Sequence, residues 1–305
     1  MMSLRIEPLP RMAGHLPFMR GRIANIDDLS PGMVAAFGLS SGSNSHRDLA
    51  ALALRETSAY FGSHFNANMK TAMDIDLRQP LNSAALAGSI VDLGDLSAHV
   101  ATGNLNAAIR TAVDQICRRG AIPIMLGGDQ KHLVAAREGL RDAHAETFNS
   151  VALVLISAAP HAELVGTSDI TCTLPHQREK EIDHHQGLHL TFTDLRQNFE
   201  CWIDRMMRHL GINPVHVALD ASSIASHWHA SHMDADFHGL SLSECRSLLR
   251  QLGRANISSL SITGLDPTIN GLSLVKTGQR LLLTAILDLI YARLDVLGPR
   301  MELRP

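Results

Sequence analysis

The sequence predicts an α/β fold, a three-layer α/β/α sandwich built on a mostly parallel sheet. Short apolar runs alternate with stretches of helical periodicity along nearly the whole chain. The run at 151–156 is apolar at every position, the pattern of a strand covered on both faces. Gly and Asp punctuate the ends of several runs, where a parallel sheet turns towards its next helix.

In chain order, residues 34–39 read as a first strand. The Ser, Gly and Asn of 40–45 break it, and 47–60 read as a helix. Residues 90–93 form a short strand ending at Gly94-Asp95. In 104–119 Leu105, Ala108, Ile109, Ala112, Val113 and Ile116 fall on one helical face, with Gly120 as a C-terminal stop. A strand at 121–126 ends in Gly127-Gly128, and 131–140 are helical. After the strand at 151–156, the His-rich, polar segment 161–187 reads as a long loop. Residues 188–191 are a weaker strand, and 199–210 form a helix stopped by Gly211. A strand follows at 216–219, and 222–238 read as a second long loop. Residues 242–252 are helical with Ser241 or Ser243 as N-cap. A strand at 257–263 and a helix at 278–294 complete the chain.

A length of 305 residues suffices for one domain with a sizeable core, so 1–305 is read as a single unit with 1–30 as an N-terminal extension. A formal charge of −3 with no basic stripe, and only 4% aromatic residues, give no footprint for nucleic acid. Cys117, Cys172, Cys201 and Cys245 are widely spaced, which fits reduced thiols in a cytoplasm rather than a disulfide framework. The first 20 residues lack a continuous apolar core, so no signal peptide is expected. The apolar stretch 281–294 is interrupted by Asp288 and Arg293, so no membrane span is expected either.

In a parallel sheet the loops after the strands converge at their C-terminal ends. Those loops carry a series of motifs in order: Leu54-Arg55-Glu56-Thr57-Ser58, Val91-Asp92-Leu93-Gly94-Asp95, Leu126-Gly127-Gly128-Asp129, Val217-Ala218-Leu219-Asp220, Gly239-Leu240-Ser241 with Glu244, and Leu265-Asp266-Pro267. Together they resemble the signature of the ureohydrolase (arginase/agmatinase) family. The resemblance implies a pocket that holds two Mn²⁺ ions and a shared hydroxide. Two adjacent divalent ions require many hard anionic oxygens, and they acidify the water between them.

Carried over position by position, the resemblance puts the six ligand positions at Gln130, Ser157, Ala159, His161, Asp220 and Ser222. The position that receives a guanidinium falls at Gly264, and a neighbouring Asn position at Glu163. Four carboxylates are implied and one, Asp220, is present. One carboxylate cannot offset two divalent charges in a shielded pocket. The expectation is therefore a ureohydrolase-fold pseudoenzyme, without cofactor and with a binding, regulatory or assembly role. Its partners would be a small guanidino- or amine-type ligand, copies of itself in a trimer or hexamer, or an active relative.

The alternative is a repurposed enzyme acting on an amino-acid-derived or guanidino substrate. Asp220 and His161 would then be the acid/base pair, or the ligands of a single zinc- or nickel-like ion. A hydrogen-bonded Asp220–His161 pair is the plainer reading. The loop after Asp220 adds His227, His229 and His232, with Trp228, Asp234, Asp236 and His238, as a pocket lid or a metal clamp. A second His-rich loop holds Asp183, His184, His185 and His189. Asp92, Asp95 and Asp129 are expected in turn and helix-end contacts, and Cys117 and Cys245 as inert thiols.

Overall fold

The computed structural model describes residues 17–39, 49–59, 72–74, 79–81, 89–96, 105–158, 168–173, 187–224, 239–265 and 272–297. Eleven strands lie among them: β1 (Arg22–Ile23), β2 (Val34–Gly38), β3 (Ala72–Asp74), β4 (Gln79–Leu81), β5 (Ile90–Asp95), β6 (Ile122–Leu126), β7 (Ala152–Ile156), β8 (Ile170–Thr173), β9 (Leu188–Thr191), β10 (Val215–Asp220) and β11 (Ile257–Thr263). The helices are α1 (Ala50–Ser58), α2 (Leu105–Arg118), α3 (Leu133–His144), α4 (Phe192–Gln197), α5 (Phe199–Leu210), α6 (Leu242–Leu252) and α7 (Leu272–Val296).

Nine strands form one sheet in the order β1-β5-β2-β6-β11-β10-β7-β8-β9, and every pairing within it is parallel. β3 and β4 pair antiparallel in a separate ribbon. The expected α/β sandwich is thus observed. Alternation along the strands splits the core in two. Val34, Ala36, Val154, Ile156, Val217 and Leu219 face α1 and α4 to α7. Ala35, Phe37, Leu153, Leu155 and Ala218 face α2 and α3. No described helix is long and apolar enough to cross a membrane.

The segment 161–187, expected as one loop, contains β8, which is buried throughout and pairs with β7 and β9. Its Thr171 and Thr173 made it look polar. Both hydroxyls are satisfied inside the sheet, hydrogen-bonding the two ring nitrogens of His189 at 2.9 and 3.3 Å. The N-terminal segment is more than an extension. Phe18 is fully buried, and β1 is the sheet's edge strand beside β5. α7 begins six residues before the expected start at 278, and the short α4, capped by Thr191, was not expected. By contrast α5, α6 and β11 match their expected bounds.

Arg55 ties α1, β5 and the N-terminal segment together. It is 2% exposed and grips the fully buried Asp92 through Nε at 2.7 Å and Nη2 at 2.9 Å, and Asp95 through Nη1 at 2.7 Å. Asp92 also accepts the backbone N–H groups of Phe18 and Gly94. Burial pulls the Arg55 guanidinium down, but the hydrogen bonds and charges of Asp92 and Asp95 prevail and hold it above its ordinary value. On the other face, α2 and α3 approach closely at Gly139, where a Cβ would lie 2.3 Å from the Arg110 carbonyl oxygen.

His216, on β10, is buried between Ser259 and Ser261 of β11, at 2.5 Å from Nδ1 and 3.0 Å from Nε2. Burial, helped by the nearby Arg137 charge, pushes its pKa down to about 3.

Two outcomes are expected. Replacing Arg55 by Met leaves Asp92 buried without its cation, and urea unfolding should show a loss of about 3–5 kcal/mol. For His216, the unfolded chain takes up a proton below the ordinary value of 6.5 while the folded chain stays neutral down to about 3. Wild-type stability should therefore drop as the pH is lowered through that window, by at most about 1.4 kcal/mol per pH unit from this residue. Urea midpoints of a His216→Gln variant should show a shallower pH slope.

Candidate functional site

The C-terminal ends of β6, β7, β10 and β11 bring together five of the residues singled out in the sequence: Gln130, Ser157, Asp220, Ser222 and Gly264. After β6 the chain turns through Gly127 and Gly128, both at positive φ, and enters a 3₁₀ turn at Gln130–His132. Asp129 is the N-cap of that turn, accepting the Lys131 N–H at 3.1 Å, while His132 Nδ1 accepts the Asp129 N–H at 3.2 Å. This reciprocal capping fixes where Gln130 points. Ser157 immediately follows β7. Asp220 ends β10 and caps a second 3₁₀ turn at Ala221–Ser223.

Asp220 is 4% exposed, and neutral donors surround its carboxylate. Oδ1 accepts the Ser222 N–H at 3.0 Å and the Ser222 hydroxyl at 2.6 Å. Oδ2 accepts the Thr263 hydroxyl at 3.0 Å and, at a longer 3.4 Å, the Gln130 amide. The same Gln130 Nε2 donates to Ser157 Oγ at 2.9 Å. The Ala158 N–H reaches Ser222 Oγ at 3.3 Å. A buried carboxylate demands such donors, and their hydrogens occupy the directions in which a cation would otherwise be held.

Gly264 follows β11 with φ +73°, and its backbone lies against Asp220. A Cβ there would sit 2.5 Å from Oδ1 and 2.8 Å from Oδ2. The site thus has room for the Asp220 carboxylate only because residue 264 has no side chain.

Thr263 is the contact that the motifs did not reveal. In the sheet register it is the partner of Asp220. The alternation Ser259, Ser261, Thr263 along β11 was the available signal, since it puts three hydroxyls on the face that carries His216 and Asp220. Ala159, His161, Glu163, His227 and His229 lie outside the described residues, as do Asp183 to His185 and the rest of the lid loop. Among the described residues no group of three or more His, Cys, Asp or Glu could hold a metal ion. Asp92 and Asp95 have the turn and ion-pair contacts described above. Burial lifts the thiols of Cys117 and Cys172, and that of Cys245 to about 12 with help from Asp288 and Glu244, so none is a ready nucleophile at neutral pH.

The resemblance implies a pair of Mn²⁺ ions here, and the residues present do not fit them. Of the six positions, Ala159 has no donor atom, Gln130 directs its N–H₂ into the site, and the one carboxylate already accepts four hydrogen bonds.

Residues 35–176 match the family model described as "Arginase family". No curated protein matches the chain in sequence. Solved structures share the fold across nearly the whole chain. A hypothetical agmatinase from Burkholderia thailandensis superposes with TM-score 0.72 at 16% identity, covering 94% of this chain and 93% of that one. Proclavaminate amidino hydrolase from Streptomyces clavuligerus gives 0.69 at 16%, with 94% and 99% covered. Trypanosoma cruzi formiminoglutamase, in a structure described with Mn²⁺, gives 0.65 at 14%, with 86% and 92% covered.

The Thr263 hydroxyl is expected to matter to the fold. Thr263→Val keeps the shape of the side chain but removes a donor from a buried anion, and chemical denaturation should show a loss of about 1–3 kcal/mol.

Proposed function

From the premise that the chain belongs to the ureohydrolase family, we propose that it is a member without binuclear-manganese hydrolysis, acting by binding, regulation or assembly. One observation carries this reading: Asp220, the one carboxylate left at the ligand positions, accepts its hydrogen bonds from Ser222, Thr263 and Gln130. Hydrolysis by a metal pair needs an anionic cage that brings the pKa of a bridging water towards neutrality. Neutral hydroxyls and an amide meet the electrostatic needs of Asp220 without supplying that cage.

The other aspartates of the resemblance support the fold. Asp92 and Asp95 hold Arg55, and Asp129 caps the turn that bears Gln130. A chain that keeps these contacts keeps the shape its relatives have. That suits a regulatory or scaffolding subunit, which associates with itself or with an active relative through the common fold. If the site takes a small molecule, its hydroxyls, amide and backbone favour a polar partner over a strongly cationic one, because Asp220 already has its donors.

Reconstitution with Mn²⁺ followed by assay of urea release from arginine and agmatine should give no turnover above the metal-only control, and elemental analysis should find less than one Mn per chain. Clear turnover, abolished by Asp220→Ala, would refute the proposal.

A further inference from the structure

We infer that Asp220 and Gly264 form a lock: the glycine gives the carboxylate its inward position, and the carboxylate forbids any side chain at 264. This deepens the reading above, because it explains why the Asp220 carboxylate is not free for incoming cations.

The lock has a steric and an electrostatic half. Gly264 at φ +73° is in the left-handed region, where a Cβ is disfavoured regardless of its neighbours. Added to that, its Cβ would fall 2.5 to 2.8 Å from three atoms of the Asp220 carboxylate, closer than real Cβ contacts come. An exposed Asp would swing aside at little cost. Asp220 is held in place by Ser222, through both its N–H and its hydroxyl, and by Thr263. Any rotation away from residue 264 breaks charge-assisted hydrogen bonds in a buried setting, where lost donors are not replaced by water.

The register joins the two residues further. Asp220 is the in-register partner of Thr263, the residue just before Gly264, so the turn out of β11 and the end of β10 are fixed against each other. The Gly264 N–H bonds the Gly128 carbonyl at 3.3 Å, which ties the same turn to the loop that positions Gln130. Residue 264 therefore cannot move away from Asp220 as an independent loop would. Each half excludes the changes that would open the other. A side chain at 264 needs Asp220 displaced, and a displaced Asp220 strands the hydroxyl of Thr263 and the N–H of Ser222.

A double-mutant cycle tests the lock by a readout independent of catalysis. Urea midpoints are measured for wild type, Gly264→Ala, Asp220→Ala and the double variant. The left-handed strain that Gly264→Ala introduces is the same with and without Asp220, so it cancels and the cycle reports the contact alone. The expected result is that Gly264→Ala lowers the midpoint substantially in wild type and by clearly less in the Asp220→Ala background. Equal shifts in the two backgrounds overturn the lock. Should Gly264→Ala fail to fold, Gly264→Asn, which tolerates the left-handed backbone, takes its place in the same cycle. In a second arm, thermal melts of the wild-type chain with Mn²⁺ or with methylguanidine should match melts in equal ionic strength of NaCl. A saturable rise in melting temperature that Asp220→Asn removes shows a carboxylate free to bind, and overturns the lock. Urea release by the Mn²⁺-treated wild-type chain would instead defeat the functional proposal, whatever the cycle shows.

Discussion

A carboxylate withdrawn from water must be met by a cation or by hydrogen-bond donors, and much of this molecule is arranged around that requirement. At Asp92 the answer is a cation. Arg55 comes from α1 and presents two nitrogens to the carboxylate, with backbone N–H groups of Phe18 and Gly94 completing the shell. At Asp220 the answer is neutral, made of two hydroxyls, one backbone N–H and an amide. The two solutions have different consequences. The first joins distant segments, since a buried charge and its partner are costly to separate. The second meets the carboxylate with neutral donors drawn from neighbouring strand ends.

The sheet makes both solutions available. Nine parallel strands bring their C-terminal ends to one edge, and the pleat decides which side chains share a face there. Asp220 and Thr263 meet because β10 and β11 are paired in register up to their last residues. Gln130 joins them because Gly127 and Gly128 reverse the chain tightly after β6, and the Asp129–His132 capping pair holds the next turn. The core on the two faces is ordinary aliphatic packing. The strand ends carry the polar detail, which is where a parallel sheet tolerates it, because the chain is leaving the regular ladder.

Much of this was legible in the residues. An uninterrupted apolar run gave β7, the Gly211 stop bounded α5, the Ser241 cap opened α6, and the ordered motifs pointed to the shared edge. The resemblance was enough to bring Gln130, Ser157, Asp220, Ser222 and Gly264 to one place. What stayed hidden has a common cause. Thr171 and Thr173 read as loop because a hydroxyl looks polar in one dimension, whereas in the sheet it bonds His189 and behaves as core. Thr263 read as the end of a strand, because its role depends on the register of a neighbouring strand that no local pattern states. β1 is two residues long, too short for any period to show.

Counting ligands in the sequence gives a weaker statement than the geometry does. A missing carboxylate could be made good by water, by a loop or by one substitution. A carboxylate turned onto its own donors, with room for it left by a left-handed glycine that has no side chain, is a different state of the site. The hydroxyls of Ser222 and Thr263 stabilise Asp220 only while it points inward, and Gly264 allows it to point inward only while it stays a glycine. Interactions that depend on one another in this way are not regained singly, because each intermediate loses a buried hydrogen bond or gains an overlap. The fold around this site is held by the sheet, its two aliphatic layers and the Arg55 cluster.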